Sequence, residues 1–212
     1  MRIKVCGVTR ASDARRAARL GAWAVGMIFV PGTPRFLTLS RAKRVRASIP
    51  RGVLAVGVFR DPPREELLSV VRELRLDAVQ VYGKVPSGLR VPAFVAGPAR
   101  LSPCDFVFLE PRRSDVDRRV GRVPSGNACR ATWKKAATLR KRGLRVILAG
   151  GLTPGNAARA AAAAQPWALD VSSGVELRQG VKDVALLRAF FAAVDGKDRS
   201  IRSGASRGLT PE

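Results

Sequence analysis

Apolar residues occur along this chain in two rhythms. Short, β-branched runs alternate with longer stretches in which they recur every third or fourth position. The first rhythm reads as strand and the second as amphipathic helix. Strands are predicted at Ile3–Cys6, Trp23–Phe29, Val53–Phe59, Ala78–Val81, Ala93–Val95, Phe106–Leu109, Val146–Ala149 and Ala168–Val171. Val53–Phe59 is apolar almost without interruption, as expected of a parallel strand covered on both faces. Between the strands, Ser12 caps a helix with Ala14, Ala17, Ala18 and Leu20 on one face, and Gly21 ends it. Ser40 opens a helix through Ala47, and Pro62-Pro63 start one carrying Leu67, Leu68, Val71 and Leu74. Further helices are predicted at Thr132–Lys141, Thr153–Ala164 and Asp183–Ala193. Around residues 83–131 helices are short or missing, and Pro111 to Ala131 reads as a basic loop. Eight strands with crossovers predict an α/β fold, a single-domain (β/α)8 TIM barrel over residues 1–195, with a doubly wound sheet as runner-up. Residues from Gly196 to Glu212 offer little to bury and are expected to form a basic, disordered tail.

Composition narrows the chemistry. The 212 residues suffice for one core, and 46% hydrophobic with 26% charged residues is a globular balance. No apolar run reaches the ~18 residues of a membrane span, so no membrane partner is expected. Met1–Cys6 is short and charged and reads as a strand, not a signal peptide. Cys6, Cys104 and Cys129 show neither metal-site nor disulfide spacing, which points to a reducing, cytoplasmic setting. The net charge of +23, from 39 Lys+Arg against 16 Asp+Glu, implies attraction to anions. The arginines scatter over predicted helices, and aromatic residues make up only 6%, so solvated faces are favoured over nucleic-acid binding. Histidine is absent, so proton transfer must fall to Cys, Asp, Glu, Lys or Tyr.

Two turns suit an anion. The run Val146–Ala149 ends in Gly150-Gly151, followed by Leu152, a candidate N-cap in Thr153 and Pro154 at the first helical position. Without Cβ atoms the glycines allow close approach to the main chain, and the helix start supplies free N–H groups and a positive dipole end. An ordinary tight turn would look the same. A second turn, Asp170-Val171-Ser172-Ser173-Gly174, follows the eighth strand, and in this barrel the loops after strands seven and eight often hold phosphate. Cys6 ends the first strand as a thiol base or a small buried hydrophobe. Arg35, in the loop after strand two, is a carboxylate fork or one surface arginine among many. Asp170 either organises a ligand hydroxyl or pairs with a cation. Glu176 and Lys182 read as helix-entry charges.

The segments Val5-Cys6-Gly7-Val8-Thr9, Thr33-Pro34-Arg35-Phe36, Val56-Gly57-Val58-Phe59, Asp77-Ala78-Val79-Gln80, Ile147–Asn156 and Asp170–Glu176 stand in one order. Together they resemble the phosphoribosylanthranilate isomerase family over residues 1–194. The resemblance implies a (β/α)8 barrel of tryptophan biosynthesis. It would open the sugar ring of N-(5-phosphoribosyl)anthranilate and complete an Amadori rearrangement, with no metal and no cofactor. By motif position it implies Cys6 as general base and Arg35 facing the anthranilate carboxylate. Gly150, Gly151, Ser172, Ser173 and Gly174 would hold phosphate, and Asp170 would line the pocket.

The chain departs from the family at the general acid. The usual Gly-Gly-Thr-Gly-x-Thr-Phe-Asp-Trp segment is matched by Ser125–Trp133, with Thr132 in the place of the aspartate. A threonine hydroxyl is too weak an acid for that role. The usual Leu-His-Gly reads Val81-Tyr82-Gly83, the usual Leu-Leu-Asp reads Phe108-Leu109-Glu110, and the lysine of strand five is absent. Glu110 is therefore the candidate substitute acid. The alternatives are a diverged barrel that binds phosphate without this catalysis, or another sugar-phosphate isomerase. A small phosphorylated substrate is the expected partner, with the protein a monomer or homodimer.

Overall fold

The computed structural model describes residues 1–96, 106–111 and 126–204. Cys104, the stretch 112–125 and positions 205–212 lie outside the described residues. Eight parallel strands close into a barrel in chain order: β1 (Arg2–Val5), β2 (Ala24–Ile28), β3 (Leu54–Arg60), β4 (Ala78–Tyr82), β5 (Ala93–Ala96), β6 (Phe106–Leu109), β7 (Arg145–Ala149) and β8 (Ala168–Val171). The ring closes through β1 against β8, with Lys4 paired to Asp170 and Val5 to Val171. The helices are α1 (Ala11–Arg19), α2 (Leu39–Arg46), α3 (Arg64–Leu74), α4 (Gly126–Lys141), α5 (Pro154–Ala164) and α6 (Val184–Gly204). A two-stranded hairpin, β9 (Glu176–Arg178) and β10 (Val181–Lys182), lies between β8 and α6. The expected (β/α)8 barrel is present, and all eight predicted strands overlap observed ones.

Helix boundaries differ for local reasons. The residue before α1 is Arg10, so Ser12 lies inside the helix instead of capping it. The hydroxyl of Thr38, not Ser40, accepts from the Arg41 N–H at the start of α2. Asp183 Oδ1 accepts from Leu186 N–H at the head of α6. No helix occupies the described residues between β4 and β5, in keeping with the weak pattern there. By contrast, α4 begins at Gly126, inside the stretch expected to be loop up to Ala131. Helix α6 extends to Gly204, past Gly196 where the sequence pattern places the start of a tail.

Strand alternation sorts the core into two shells. Ile3 and Val5 face outward into a large cluster shared with the helices, with Leu67, Leu139, Leu187 and Phe190. Ala24, Val56, Ala78, Phe94, Phe108, Ile147, Ala149 and Ala168 fill the barrel interior. At the N-terminal end Trp23, Phe94, Phe106 and Trp167 pack edge-on or tilted, with neighbouring ring centroids 4.7–5.9 Å apart. This plug closes the lower end, so the polar interior positions collect at the C-terminal end.

Phe94 is 1% exposed at the centre of the plug. Phe94→Ala should lower the free energy of unfolding by about 3–5 kcal/mol, read from denaturant midpoints. A loss under about 1 kcal/mol would show that the rings are not packed as described.

Candidate active site

Lys4 projects into the barrel between the outward-facing Ile3 and Val5, and its side chain is fully buried. Its Nζ donates to Asp170 Oδ1 and to Gln80 Oε1, both at 2.9 Å. Gln80 Nε2 in turn donates to the Tyr82 hydroxyl at 3.0 Å. One polar chain therefore runs from β8 through β1 to β4. Burial alone would pull the Lys4 ammonium down, but Asp170 and the Cys6 sulfur outweigh it and hold it above its ordinary value. Asp170 is held above the usual carboxylate range by burial, which Lys4 counters only in part and the nearby Glu110 charge reinforces.

Cys6 follows on the same inward row, one residue beyond β1, with its N–H bonded to Val171 O at 2.8 Å. Its sulfur lies 2.8 Å from where a Cβ on Gly26 would stand, and the same spot is 3.3 Å from Lys4 Cε. A side chain at position 26 would therefore displace the thiol. Burial pushes the Cys6 thiol up; Lys4 and Lys182 pull it down, and Asp170 adds to the rise. The sulfur faces the charged mouth of the barrel, not the outer shell.

The two glycine turns pack on each other. Gly150 and Gly151 have φ of +82° and +69°, in the left-handed region that favours glycine. A Cβ on Gly150 would strike Pro111 and come within 3.2 Å of Glu110 Cβ, so the end of β6 leans directly on this turn. Asn156 locks the turn from below: its Nδ2 donates to Gly151 O at 2.8 Å, and its Oδ1 accepts from Thr153 N–H at 2.9 Å. A Cβ on Gly174 would overlap the Leu152 carbonyl, so the β8 turn has no room beside the β7 turn for any larger residue. A short 3₁₀ turn, Ser173–Val175, follows Ser172.

Arg35 lies across the opening. Its Nε donates to Glu176 Oε1 at 2.8 Å and its Nη2 to Glu176 Oε2 at 2.6 Å, a bidentate fork. Glu176 Oε1 also accepts from Lys182 Nζ at 2.8 Å, and Lys182 Nζ donates to Ser172 O at 3.1 Å. Glu176 and Lys182 are thus not helix-entry charges. They lie on the β9–β10 hairpin and tie Arg35 to the β8 turn. Burial disfavours the Glu176 anion, but Arg35 and Lys182 outweigh it and hold its carboxyl below the usual range. Burial lowers the Lys182 ammonium, and Glu176 offsets this only in part. The position of a Cβ on Gly7 falls against the Arg35 stem and 3.0 Å from Ser172 Oγ, so Cys6, Arg35 and Ser172 meet around this residue.

Thr132 is 9% exposed inside α4, where its hydroxyl donates to Ala128 O at 2.9 Å. Its proton is committed to the helix backbone. Glu110 follows β6 directly, beside Gly150 and within electrostatic reach of Asp170. Cys6, Arg35, Glu110, Gly150, Asp170, Ser172 and Gly174 are thus brought together at one end of the barrel. Lys4, Gln80, Tyr82 and Asn156 join them without having been assigned a part. Their only sequence signal is a polar residue at an inward strand position, or the Asn of the strand-seven motif. Among the described residues no three His, Cys, Asp or Glu side chains gather as a metal-holding group.

Gly174→Ala must push the Leu152 carbonyl aside and open the two turns. It should weaken binding of inorganic phosphate at the mouth by about tenfold or more, measured by titration. Unchanged affinity would mean that these turns hold no anion.

The sequence and fold are similar to those of known proteins. The family model for N-(5'-phosphoribosyl)anthranilate (PRA) isomerase matches residues 3–92 and 120–193. An N-(5'-phosphoribosyl)anthranilate isomerase of Pseudomonas aeruginosa strain PAO1 is 36% identical over 209 residues, spanning 94% of this chain and 97% of that protein. The crystal structure of phosphoribosyl anthranilate isomerase from Thermus thermophilus superimposes with a TM-score of 0.76 at 35% identity, over 93% of this chain and 100% of that one. Another solved phosphoribosyl anthranilate isomerase is in complex with reduced 1-(o-carboxyphenylamino)-1-deoxyribulose 5-phosphate. It has a TM-score of 0.73 at 29% identity, over 92% of this chain and 99% of that one. The chain belongs to the N-(5'-phosphoribosyl)anthranilate isomerase family.

Proposed function

We propose that the protein isomerises N-(5-phosphoribosyl)anthranilate to 1-(o-carboxyphenylamino)-1-deoxyribulose 5-phosphate, a step of tryptophan biosynthesis. One observation carries the chemistry: a buried thiol, the carboxyl groups of Asp170, Glu110 and Glu176, and two glycine turns share one barrel mouth in a chain without histidine. The alternative of a barrel that only binds phosphate is not favoured by relatives that are isomerases over nearly their whole length.

The main chain at Gly150, Gly151, Ser172, Ser173 and Gly174 takes the phosphate, whose charge is met by N–H groups and the positive end of α5. Arg35 takes the anthranilate carboxylate through the guanidinium edge that Glu176 leaves open. Glu176 engages one N–H of Nε and one of Nη2 among the five donors of the group. With both anionic ends held, the sugar ring lies over the Lys4–Cys6–Asp170 row.

The reaction needs one acid and one base. Glu110 is assigned as the general acid that supplies a proton to the ring oxygen, and the C1–O bond breaks to leave a protonated Schiff base. The Cys6 thiolate removes the proton from C2, and the electron pair moves into the C1–C2 bond and quenches the iminium as an enolamine. The enolamine gains a proton at C1 and loses one from its hydroxyl, giving the ketone. The net change is an isomerisation. Asp170, with Lys4 behind it, faces the same space and shares the charge balance with Glu110. Thr132 takes no part, because its hydroxyl is bonded within α4.

The loss of substrate fluorescence measures turnover. Glu110→Gln should lower kcat by about 10²–10⁴-fold without unfolding the protein, and an unchanged rate would remove Glu110 from the role. Cys6→Ala should abolish turnover. Because the base must be ionised and burial holds this thiol above the ~8.5 of a free cysteine, kcat/KM should still be rising with pH above that value. A profile flat from neutral to alkaline pH would place the base elsewhere.

A further inference from the structure

At the opposite end of the barrel, below the aromatic plug, lies a cavity of about 740 Å³. Arg2, Arg140, Lys141 and Arg145 line it, together with an apolar floor that includes Leu144 and Trp167. Among the described residues, no aspartate or glutamate lines it. Among the described residues, no carboxylate pairs with any of these four cations. Arg140 and Lys141 occupy the last turn of α4, where a helix dipole favours cations. That reason does not extend to Arg2 and Arg145, which begin strands β1 and β7. Their guanidinium groups are instead fixed on aromatic rings, Arg2 at 4.3 Å from the Trp167 centroid and Arg145 at 5.2 Å from that of Phe106. Stacking holds the planar fork in place while its N–H groups stay free, which lowers the ordering cost of binding an anion.

From this convergence of unpaired, partly immobilised cations on an apolar floor, we propose that the cavity binds a small organic polyphosphate: a phosphate chain attached to an apolar or aromatic body. The charges take the phosphates, and the floor at Leu144 and Trp167 takes the body. The volume is that of a small-molecule pocket, within the ~300–1,000 Å³ such sites occupy. The site lies at the far end of the barrel from Cys6, so its occupancy is independent of the isomerase reading.

The test is calorimetric titration of the full chain with ATP and with inorganic tripolyphosphate at about 0.15 M salt, where long-range charge effects are screened beyond ~8 Å. ATP should bind saturably at one site with a sub-millimolar Kd, and tripolyphosphate more weakly by about tenfold. Arg140→Gln with Lys141→Gln should weaken ATP by about tenfold or more. Lys134→Gln with Lys135→Gln, a charge-matched change at exposed positions of the same helix outside the cavity, should leave it within about twofold. Both doubles should keep wild-type isomerase turnover. Equal losses in the two doubles would reduce the binding to diffuse charge and overturn the site. So would the absence of saturable binding, or an ATP affinity that the cavity double leaves unchanged. Equal affinity for ATP and tripolyphosphate would contradict the part assigned to the apolar floor.

Discussion

An ammonium group without solvent, deep in a barrel, is the constraint around which this site is arranged. Taking Lys4 out of water costs several kcal/mol, a cost offset only if its protons are matched by acceptors held in place. Asp170 and Gln80 are those acceptors, one on the adjacent strand and one across the barrel. The pair binds β1, β4 and β8 together. It also sets a fixed positive charge behind the thiol that follows two residues later, just past β1. Removing Lys4 or Asp170 alone would leave an unpaired buried charge, which makes the row rigid as well as reactive.

A second set of contacts carries that rigidity to the ligand-facing turns. Gly7 packs on the stem of Arg35 and the hydroxyl of Ser172, and Gly174 packs on the carbonyl of Leu152. Lys182 and Glu176 then close the circle from the β9–β10 hairpin to Arg35. The positions that would hold the two ends of a dianionic substrate are thus joined to the position that would take its proton. A substrate gripped at both ends loses its freedom before the reaction begins, which is where much of the advantage of such a site arises.

The barrel was legible because parallel strands buried on both sides leave runs such as Val53–Phe59 and Val146–Ala149 that few other folds produce. The glycine turns were legible because their residue types answer to backbone geometry. The Lys4–Asp170–Gln80 network was not, because its members lie 76 and 166 positions apart and each looks like an ordinary polar break in an apolar strand. Glu176 and Lys182 were misread for a related reason. Charged residues just before a helix resemble its entry, and only the hairpin shows that they turn back to Arg35. The aspartate missing at Thr132 was visible at once. That Glu110 stands beside Gly150 and Asp170 required the closed barrel to bring β6, β7 and β8 together.

The two ends of the molecule divide its charge. At the mouth, cations are matched by Asp170 and Glu176; at the aromatic end, Arg2, Arg140, Lys141 and Arg145 face a cavity with no carboxylate among the described residues. The central claim is that the fixed charge of Lys4 opposes the burial that raises the Cys6 thiol. Its most direct test is the titration of that thiol by NMR of carbon-labelled cysteine, assigned through Cys6→Ser. The same titration is then made in Lys4→Met combined with Asp170→Leu, which removes the ion pair without stranding either charge. The account predicts that the native thiol titrates above a free cysteine and shifts when the pair is removed. A Cys6 that titrates like a free thiol, and does so identically in both proteins, would contradict it.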